Sequence, residues 1–362
     1  MGTRSYPGEL ALVGACLVAV WLLACGPGPA ARGPGPSPEA VRPAAAPAAA
    51  AAQAPAPPTP VKIRAAYTTF SGSVAPWWAA AEGGYFREQG LDVELVLVEP
   101  GASLLAALRN GELDVTYSGA PSIVLGYAQG LETIIVGATT NLLDNSLYVR
   151  PEAVPSVADL RGKTIGVTRL KAITDVTVRL IAQRLGLDPD TDLVIRGTGG
   201  YPQTLAGLEA GVLDGAALSP EAAFEAQRRG YRELANAQQL GLVFMNGTVA
   251  TVRRTAAERP EVIDRTLRAL AQGIARMRTD REFGVRTWAA YSRNDNTELL
   301  GQLIDFYREV WVPDLYPDPA ALQTAIDVEE NPLARTIRPE DVIDFQFADR
   351  LRQSGFLATL PQ

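Results

Sequence analysis

The hydrophobic pattern of this chain says one thing twice. Leu105, Leu108, Gly111, Leu113 and Asp114 recur as Leu205, Leu208, Gly211, Leu213 and Asp214, an offset of 100 residues. In each copy the leucines three apart share one helix face, the glycine tolerates the left-handed conformation that closes the helix, and Leu-Asp is expected to open a short buried strand. A small-residue turn and another helix follow, through Ser118, Gly119, Ala120, Pro121 and Ser122 in the first copy and through Ser219, Pro220 and Glu221 in the second. Two similar α/β lobes are therefore predicted, each aiming a helix N-terminus out of the carboxyl end of its sheet. Open α/β sheets bind ligands at that end.

The flanking pattern completes both lobes. Residues 61–67 are rich in β-formers and predict a first strand, followed by the loop 68–76 and a helix from about Trp77 that Gly90 closes. Residues 91–98 predict a second strand and 131–138 an apolar strand of buried character. The cycle restarts at Asp159 with a turn and a strand ending at Val167, a loop over 168–173, and a helix that Thr174 or Asp175 can cap. Residues 192–196 form a strand and 197–201 a flexible loop, whose glycine spacing is not that of a dinucleotide or P-loop motif. Short strands are expected at 230–234 and 241–246. From Thr255 onward the period is helical, with segments near 258–279, 282–292, 296–311, 319–328 and 339–352. The simplest architecture has lobe one formed by residues 61–145 plus 248–362 and lobe two by residues 146–247. The chain then crosses near 145–150 and returns near 244–248. Two crossing segments make a hinge, and a hinge between two lobes makes a closable cleft.

Composition narrows what such a cleft can do. The 362 residues are 47% hydrophobic and 20% charged, an ordinary globular balance. The net charge is −7 and the basic residues form no run, so nucleic acid is not an expected partner. Histidine is absent, and the two cysteines, Cys16 and Cys25, both fall in the first 25 residues. That removes Ser/His/Asp and Cys/His catalysis, histidine metal ligation and any disulfide within the body. No cofactor and no metal are expected, and an enzyme would have to rely on carboxylate, lysine or tyrosine chemistry.

The N-terminal segment reads as an address. Residues 11–24 are an apolar run behind Arg4, long enough for a signal-peptide core and short of the ~20 residues that span a bilayer. The run ends in Leu22-Leu23-Ala24-Cys25-Gly26, which resembles the bacterial lipoprotein signal and implies a lipid on Cys25 after cleavage of residues 1–24. An ordinary secretory signal is the alternative, and either reading predicts an exported protein. Residues 26–60 are almost wholly Pro, Ala and Gly with Arg32, Glu39 and Arg42 as the only charges, so residues 25–60 are expected to be a disordered tether behind the anchor.

The body carries a further likeness. Gly84-Tyr85-Phe86, Gly90-Leu91-Asp92-Val93, Ala107-Leu108, Gly111, Leu113-Asp114-Val115, Gly119, Pro121, Asp159-Leu160, Gly162-Lys163, Ile165-Gly166-Val167 and Gly186-Leu187 occur in order between residue 61 and about residue 250. As an ordered set they resemble type II periplasmic solute-binding proteins, in the branch serving nitrate, taurine, alkanesulfonate and thiamine-pyrimidine-precursor importers. The resemblance implies a two-lobed α/β fold, each lobe a mixed sheet flanked by helices, with a helical C-terminus. It also implies a monomer that captures a small-molecule solute outside the membrane and hands it to the permease and ATPase of an ABC transporter. Two alternatives stay open. Pyrimidine-precursor synthases share the fold, but they consume an active-site histidine and carry a cysteine-rich motif that this body lacks. A sensor or assembly lipoprotein presenting a surface is the other.

In such a cleft the solute is held by side-chain hydroxyls and by the free N–H groups of helix N-termini. Lobe one offers Thr69, Ser71, Gly72, Ser73, Trp77, Ser118, Gly119, Ala120 and Pro121. Lobe two offers Arg169, Lys171, Thr174, Asp175, Tyr201, Ser219 and Glu221. Ser71 and Ser73 also suit an ordinary solvated turn. Arg169 and Lys171 suit either an anionic group or surface solvation. Glu221 either complements the helix dipole or faces the cleft, where it suits an amine or ring N–H. Trp77 and Trp78 are adjacent on a helix and cannot point the same way, so one of them is expected to face the cleft or the lobe interface.

Overall fold

A computed structural model describes residues 60–292, 294–329 and 331–361. The signal-like run, Cys25 and the tether lie outside the described residues.

The first lobe opens with β1 (Val61–Tyr67), α1 (Ala75–Glu82), α2 (Tyr85–Glu88) and β2 (Leu91–Leu97). One helix was expected from Trp77 to Gly90; the chain instead breaks after Glu82, because Gly84 takes φ +74°, which a continuous helix cannot contain. The first copy of the repeat supplies α3 (Ala102–Arg109), β3 (Val115–Ser118) and α4 (Ala120–Ala128), and then come β4 (Thr133–Leu142) and β5 (Ser146–Val149). Next are β6 (Lys163–Val167), α5 (Ile173–Arg184) and β7 (Leu193–Gly197), and the second copy supplies α6 (Tyr201–Glu209), β8 (Gly215–Leu218) and α7 (Pro220–Arg228). After β9 (Arg232–Asn236) and β10 (Val243–Val252) the chain is helical: α8 (Arg253–Glu258), α9 (Pro260–Thr279), α10 (Arg281–Ser292), α11 (Thr297–Tyr307), α12 (Pro319–Asp327), α13 (Pro339–Val342) and α14 (Gln346–Gln353). Among the described residues, no helix is long and apolar enough to cross a membrane.

Two five-stranded mixed sheets result, ordered β2-β1-β3-β10-β4 and β7-β6-β8-β5-β9. They are built alike: the second strand in each order, β1 or β6, pairs in parallel with both neighbours, and the fourth position is an antiparallel strand, β10 or β5, that follows a crossing between the sheets. The chain leaves the first sheet after Leu142 and enters the second at Ser146; it leaves the second at Asn236 and rejoins the first at Val243. The return thus begins one residue before the expected 244–248, because Val243 already pairs with Leu142 of β4.

The repeat explains itself in hydrogen bonds. Gly111 and Gly211 hold φ +71° and +70° just past their helices. Each donates to a carbonyl three residues back, Leu108 and Leu208, while Glu112 and Val212 reach Ala107 and Gly207, so the last helical carbonyls are satisfied. The aspartates do not open the strands as expected, since β3 and β8 start one residue later. Instead, the Asp114 carboxylate accepts from the Arg64 amide at 2.8 Å and the Asp214 carboxylate from the Thr164 amide at 2.9 Å. Their own amides return bonds to the same two residues, at 2.9 and 2.8 Å. Each aspartate therefore latches its strand to the neighbouring parallel strand, β1 or β6. Leu108 and Leu208 are buried beneath these latches, each contributing about 1.5–3 kcal/mol by the usual scale for such burial.

The C-terminal helices cover the first sheet. α9 packs on α1, α14 on α9 and β4, and α12 on β10 and α4. The main core lies between sheet and helices around Trp77, Trp78, Trp288, Tyr307 and Trp311. A second core runs from α12 and α4 through Leu143, Phe244 and Met245 to Leu147, Val167 and Val178 of the other lobe. Apolar packing therefore backs both crossing segments.

Candidate ligand-binding site

At the carboxyl ends of β1, β3, β6 and β8 lies a cleft of about 460 Å³, walled by both lobes and by both crossing regions. Lobe one contributes the loop after β1, with Thr68, Thr69, Phe70, Ser71 and Ser73, together with Tyr117 and Gly119 at the end of β3. Lobe two contributes Arg169 and Ala172 from the loop after β6, Tyr201 opening α6, and Ser219 and Glu221 opening α7. Asp144 and Asn145 come from the outgoing crossing and Asn246 from β10, which carries the return.

A chain of hydroxyls organises the lobe-one wall. Ser71 Oγ lies 2.7 Å from Ser73 Oγ, which in turn lies 2.5 Å from Tyr117 Oη. Burial pushes the Tyr117 hydroxyl well above its ordinary value, so it stays neutral. Ser73 is held from behind, its carbonyl accepting from Thr139 Oγ1 at 2.9 Å.

The floor is acidic. Asp144 is buried and its two oxygens accept from Tyr307 Oη at 2.8 Å and from Asn246 Nδ2 at 3.3 Å. Its carboxyl is nevertheless pushed up, because loss of water outweighs the Tyr307 bond. Glu221 is pushed up to about 7, first by burial and second by the Asp144 charge, against the pull of the Ser219 hydroxyl and the Gly72 amide. Its Oε1 is sealed from water and has no hydrogen-bond partner. A carboxylate oxygen in that state costs free energy until a donor reaches it. Asn145 Nδ2 donates to Tyr201 Oη at 3.3 Å, joining the hinge to the start of α6. Among the described residues lining the cleft, Arg169 is the only cation, and it is exposed.

Of the sequence-predicted residues, Thr69, Ser71, Ser73, Gly119, Arg169, Tyr201, Ser219 and Glu221 come together on the cleft wall. The others stand behind it, for physical reasons that differ. Trp77 is fully buried against Phe86 and Trp78 against Tyr67, Phe70 and Tyr291, so neither indole faces the cleft. Both rings find apolar partners because α1 is enclosed by α9 and α10 as well as by the sheet. Gly72 serves packing: a Cβ there would overlap the rings of Tyr307 and Trp288, and its carbonyl accepts from Trp311 Nε1 at 2.8 Å. Ser118 is buried with its carbonyl bonded to Thr248 Oγ1 at 2.7 Å, and Ala120 and Pro121 form the first turn of α4.

Thr174 and Asp175 do not cap α5, whose N-cap is Ala172. They tie down the preceding loop instead. Thr174 Oγ1 accepts from the Thr168 amide at 3.0 Å, and the Asp175 carboxylate accepts from the Lys171 amide at 2.7 Å and from Arg179 Nε at 3.1 Å. Lys171 holds φ +68° and is exposed, outside the cleft lining. These bonds position the loop that carries Arg169.

Asp144, Asn145, Asn246, Tyr117 and Phe70 were not among the sequence candidates. Asn145 and Asn246 had a signal, since they sit within the predicted crossings at 145–150 and 244–248, and Asp144 adjoins the first.

The periplasmic sulfonate-binding protein SsuA of Methylobacillus flagellatus KT aligns with a TM-score of 0.68 at 18% identity, over 84% of this chain and 98% of that one. The periplasmic aliphatic sulphonate binding protein SsuA of Escherichia coli aligns with a TM-score of 0.65 at 18% identity, over 78% of this chain and 90% of that one. Two mixed sheets, a double crossing and a cleft at the strand ends thus define the two-lobed periplasmic-binding-protein fold. Within it, the chain belongs to the NMT1/THI5-like family, whose sequence profile matches residues 71–282. The formylaminopyrimidine-binding protein of Halalkalibacterium halodurans is 28% identical over 90 residues, which is 25% of this chain and 27% of that protein. The match thus spans about a quarter of that curated relative.

Proposed function

We propose that the protein is an extracytoplasmic solute receptor that takes a small molecule into the interlobe cleft and delivers it to the permease and ATPase of an ABC importer. The observation that supports this best is the origin of the cleft wall, which both lobes and both crossing regions supply. A solute seated there touches both jaws at once and favours whichever arrangement lets it do so. In this reading lobe one is residues 61–145 plus 248–362 and lobe two residues 146–247. The solute is a small organic or inorganic molecule of the sulfonate, nitrate, taurine-like or pyrimidine-like range, and the sulfonate- and formylaminopyrimidine-binding proteins among the similar ones support its first and last members. Residues 1–24 act as the export signal, Cys25 carries the lipid, and the Pro/Ala-rich stretch tethers a monomeric body to the membrane surface.

A thermal-shift screen of the full chain against sulfonates, inorganic anions, carboxylates and aminopyrimidines tests the reading. A cognate solute at 100 times its Kd stabilises by about 2.7 kcal/mol. Chemical turnover of that solute by the purified chain, or failure of the loaded chain to stimulate its transporter's ATPase, would sink the proposal. Replacing Cys25 by Ser should move the protein from the membrane to the soluble fraction.

A further inference from the structure

The helix N-termini that face this cleft are poorly equipped for an anion. Such termini bind anions through free backbone amides and the positive end of the dipole. Here α4 carries Pro121, α6 carries Pro202 and α7 opens with Pro220, and proline has no N–H to offer. The first turn of α7 also contains Glu221, whose carboxylate opposes an anion at that terminus directly. On the cleft floor Asp144 adds a second carboxylate. The hydroxyls of Tyr117, Tyr201 and Tyr307 stay neutral, each pushed upward first by burial. Arg169 is the cation of the lining and stands exposed at the rim.

We propose that the inner end of the cleft is a cation subsite, in which Glu221 of α7 and Asp144 of the crossing segment seat a protonated nitrogen head group, an ammonium or amidinium, while Phe70 receives the solute's apolar body. The unpartnered, sealed Oε1 of Glu221 is the acceptor that this head group satisfies. Asp144 already accepts from Tyr307 and Asn246, one bond per oxygen, which leaves lone pairs for a further donor. Phe70 lines the same cavity at 50% exposure, the highest of the aromatic rings there, and its position is fixed by Tyr67, 5.6 Å away and edge-on. This inference rests on the receptor reading and names the chemistry of the solute that the receptor takes.

Proton linkage follows from the same geometry. The groups around Glu221 are Asp144 on the crossing segment, Tyr117 on β3, Tyr201 on α6, Tyr307 on α11, and the Ser219 hydroxyl and Gly72 amide. The tyrosines are pushed above their ordinary range, so near neutrality Glu221 is the group of this set that changes charge. With Glu221 at about 7, the ionised pair that a cation requires becomes more populated as pH rises. Capture of a cation then releases a proton.

Three probes with one planar body test the subsite: benzamidinium, benzamide and benzenesulfonate, titrated against the full chain by calorimetry and thermal shift. Benzamidinium is expected to bind at least tenfold tighter than either of the others, about tenfold tighter again at pH 8 than at pH 6, with proton release visible in buffers of different ionisation heat. Glu221→Gln keeps the side chain's shape and should lose most of the benzamidinium affinity and its pH dependence, while its own unliganded Tm at pH 8 is unchanged or higher. Benzenesulfonate binding in preference to benzamidinium overturns the cation subsite and leaves the receptor intact. Unchanged benzamidinium affinity in a folded Glu221→Gln overturns the assignment, as does no response to benzamidinium at all. Failure of the receptor reading looks different, since then no solute of the wider panel, charged or neutral, shifts the Tm.

Discussion

Glu221 shows how much one residue's meaning depends on what surrounds it. A glutamate in the first turn of a helix ordinarily complements the dipole and stays ionised. Here burial and the Asp144 charge raise it to about 7. The folded state therefore holds a proton that the unfolded chain has already lost between roughly pH 4.5 and 7, and stability from this group falls as pH rises through that window. The loss amounts to about 3 kcal/mol by pH 8, read as a falling urea midpoint, and Glu221→Gln should flatten the slope. A slope that survives the substitution would place the titration elsewhere. Gly72 makes the same point by its lack of a side chain. Its role as a ligand contact was suggested by its place in a serine-rich loop, but the ring of Tyr307 occupies the space a Cβ would need. Gly72→Ala should cost about 1–3 kcal/mol by overpacking. It should also weaken solute binding, since Tyr307 is the donor that holds Asp144.

Elements were legible wherever the pattern was local. The two copies of helix, glycine and strand were found at the positions their leucines and glycines indicated, because a helix face and a left-handed cap are set within ten residues. The role of the repeated aspartates was not legible. Asp114 and Asp214 bond to strands 50 residues away in sequence, a relation no local pattern contains. Asp214→Ala leaves the Thr164 amide without its carboxylate partner and should cost about 1–3 kcal/mol in a denaturation experiment. Asp114→Ala should cost at least as much, because Asp114 also pairs with Arg259. A cost near zero for both would mean that the duplication of the aspartates has no bearing on strand docking. The Trp77-Trp78 expectation failed at this scale as well. It assumed a helix covered on one side, whereas α1 is enclosed by other helices and by the sheet.

For the whole molecule, the lobes are joined by a short outgoing segment over 143–145 and a return over 237–242. Spin labels at Glu94 and Arg196, both exposed and on different sheets, should report a distance that changes when a bound solute draws the jaws together. An unchanged distance with a saturating solute would argue for a rigid cleft. Periodicity and composition alone carried two α/β lobes in a defined order, helices after 255 and the absence of histidine chemistry. The sequence by itself also placed the loops at the strand ends, from which half of the proposed contacts came. Only the tertiary structure decided which of those loop residues face inward, and it alone brought Asp144, Asn246 and Tyr307 into one hydrogen-bonded group. The reason is physical. Periodicity is written in neighbours a few positions apart, but desolvation and charge coupling depend on what the chain folds around a group, and residues 144, 221, 246 and 307 meet only when both crossings are made.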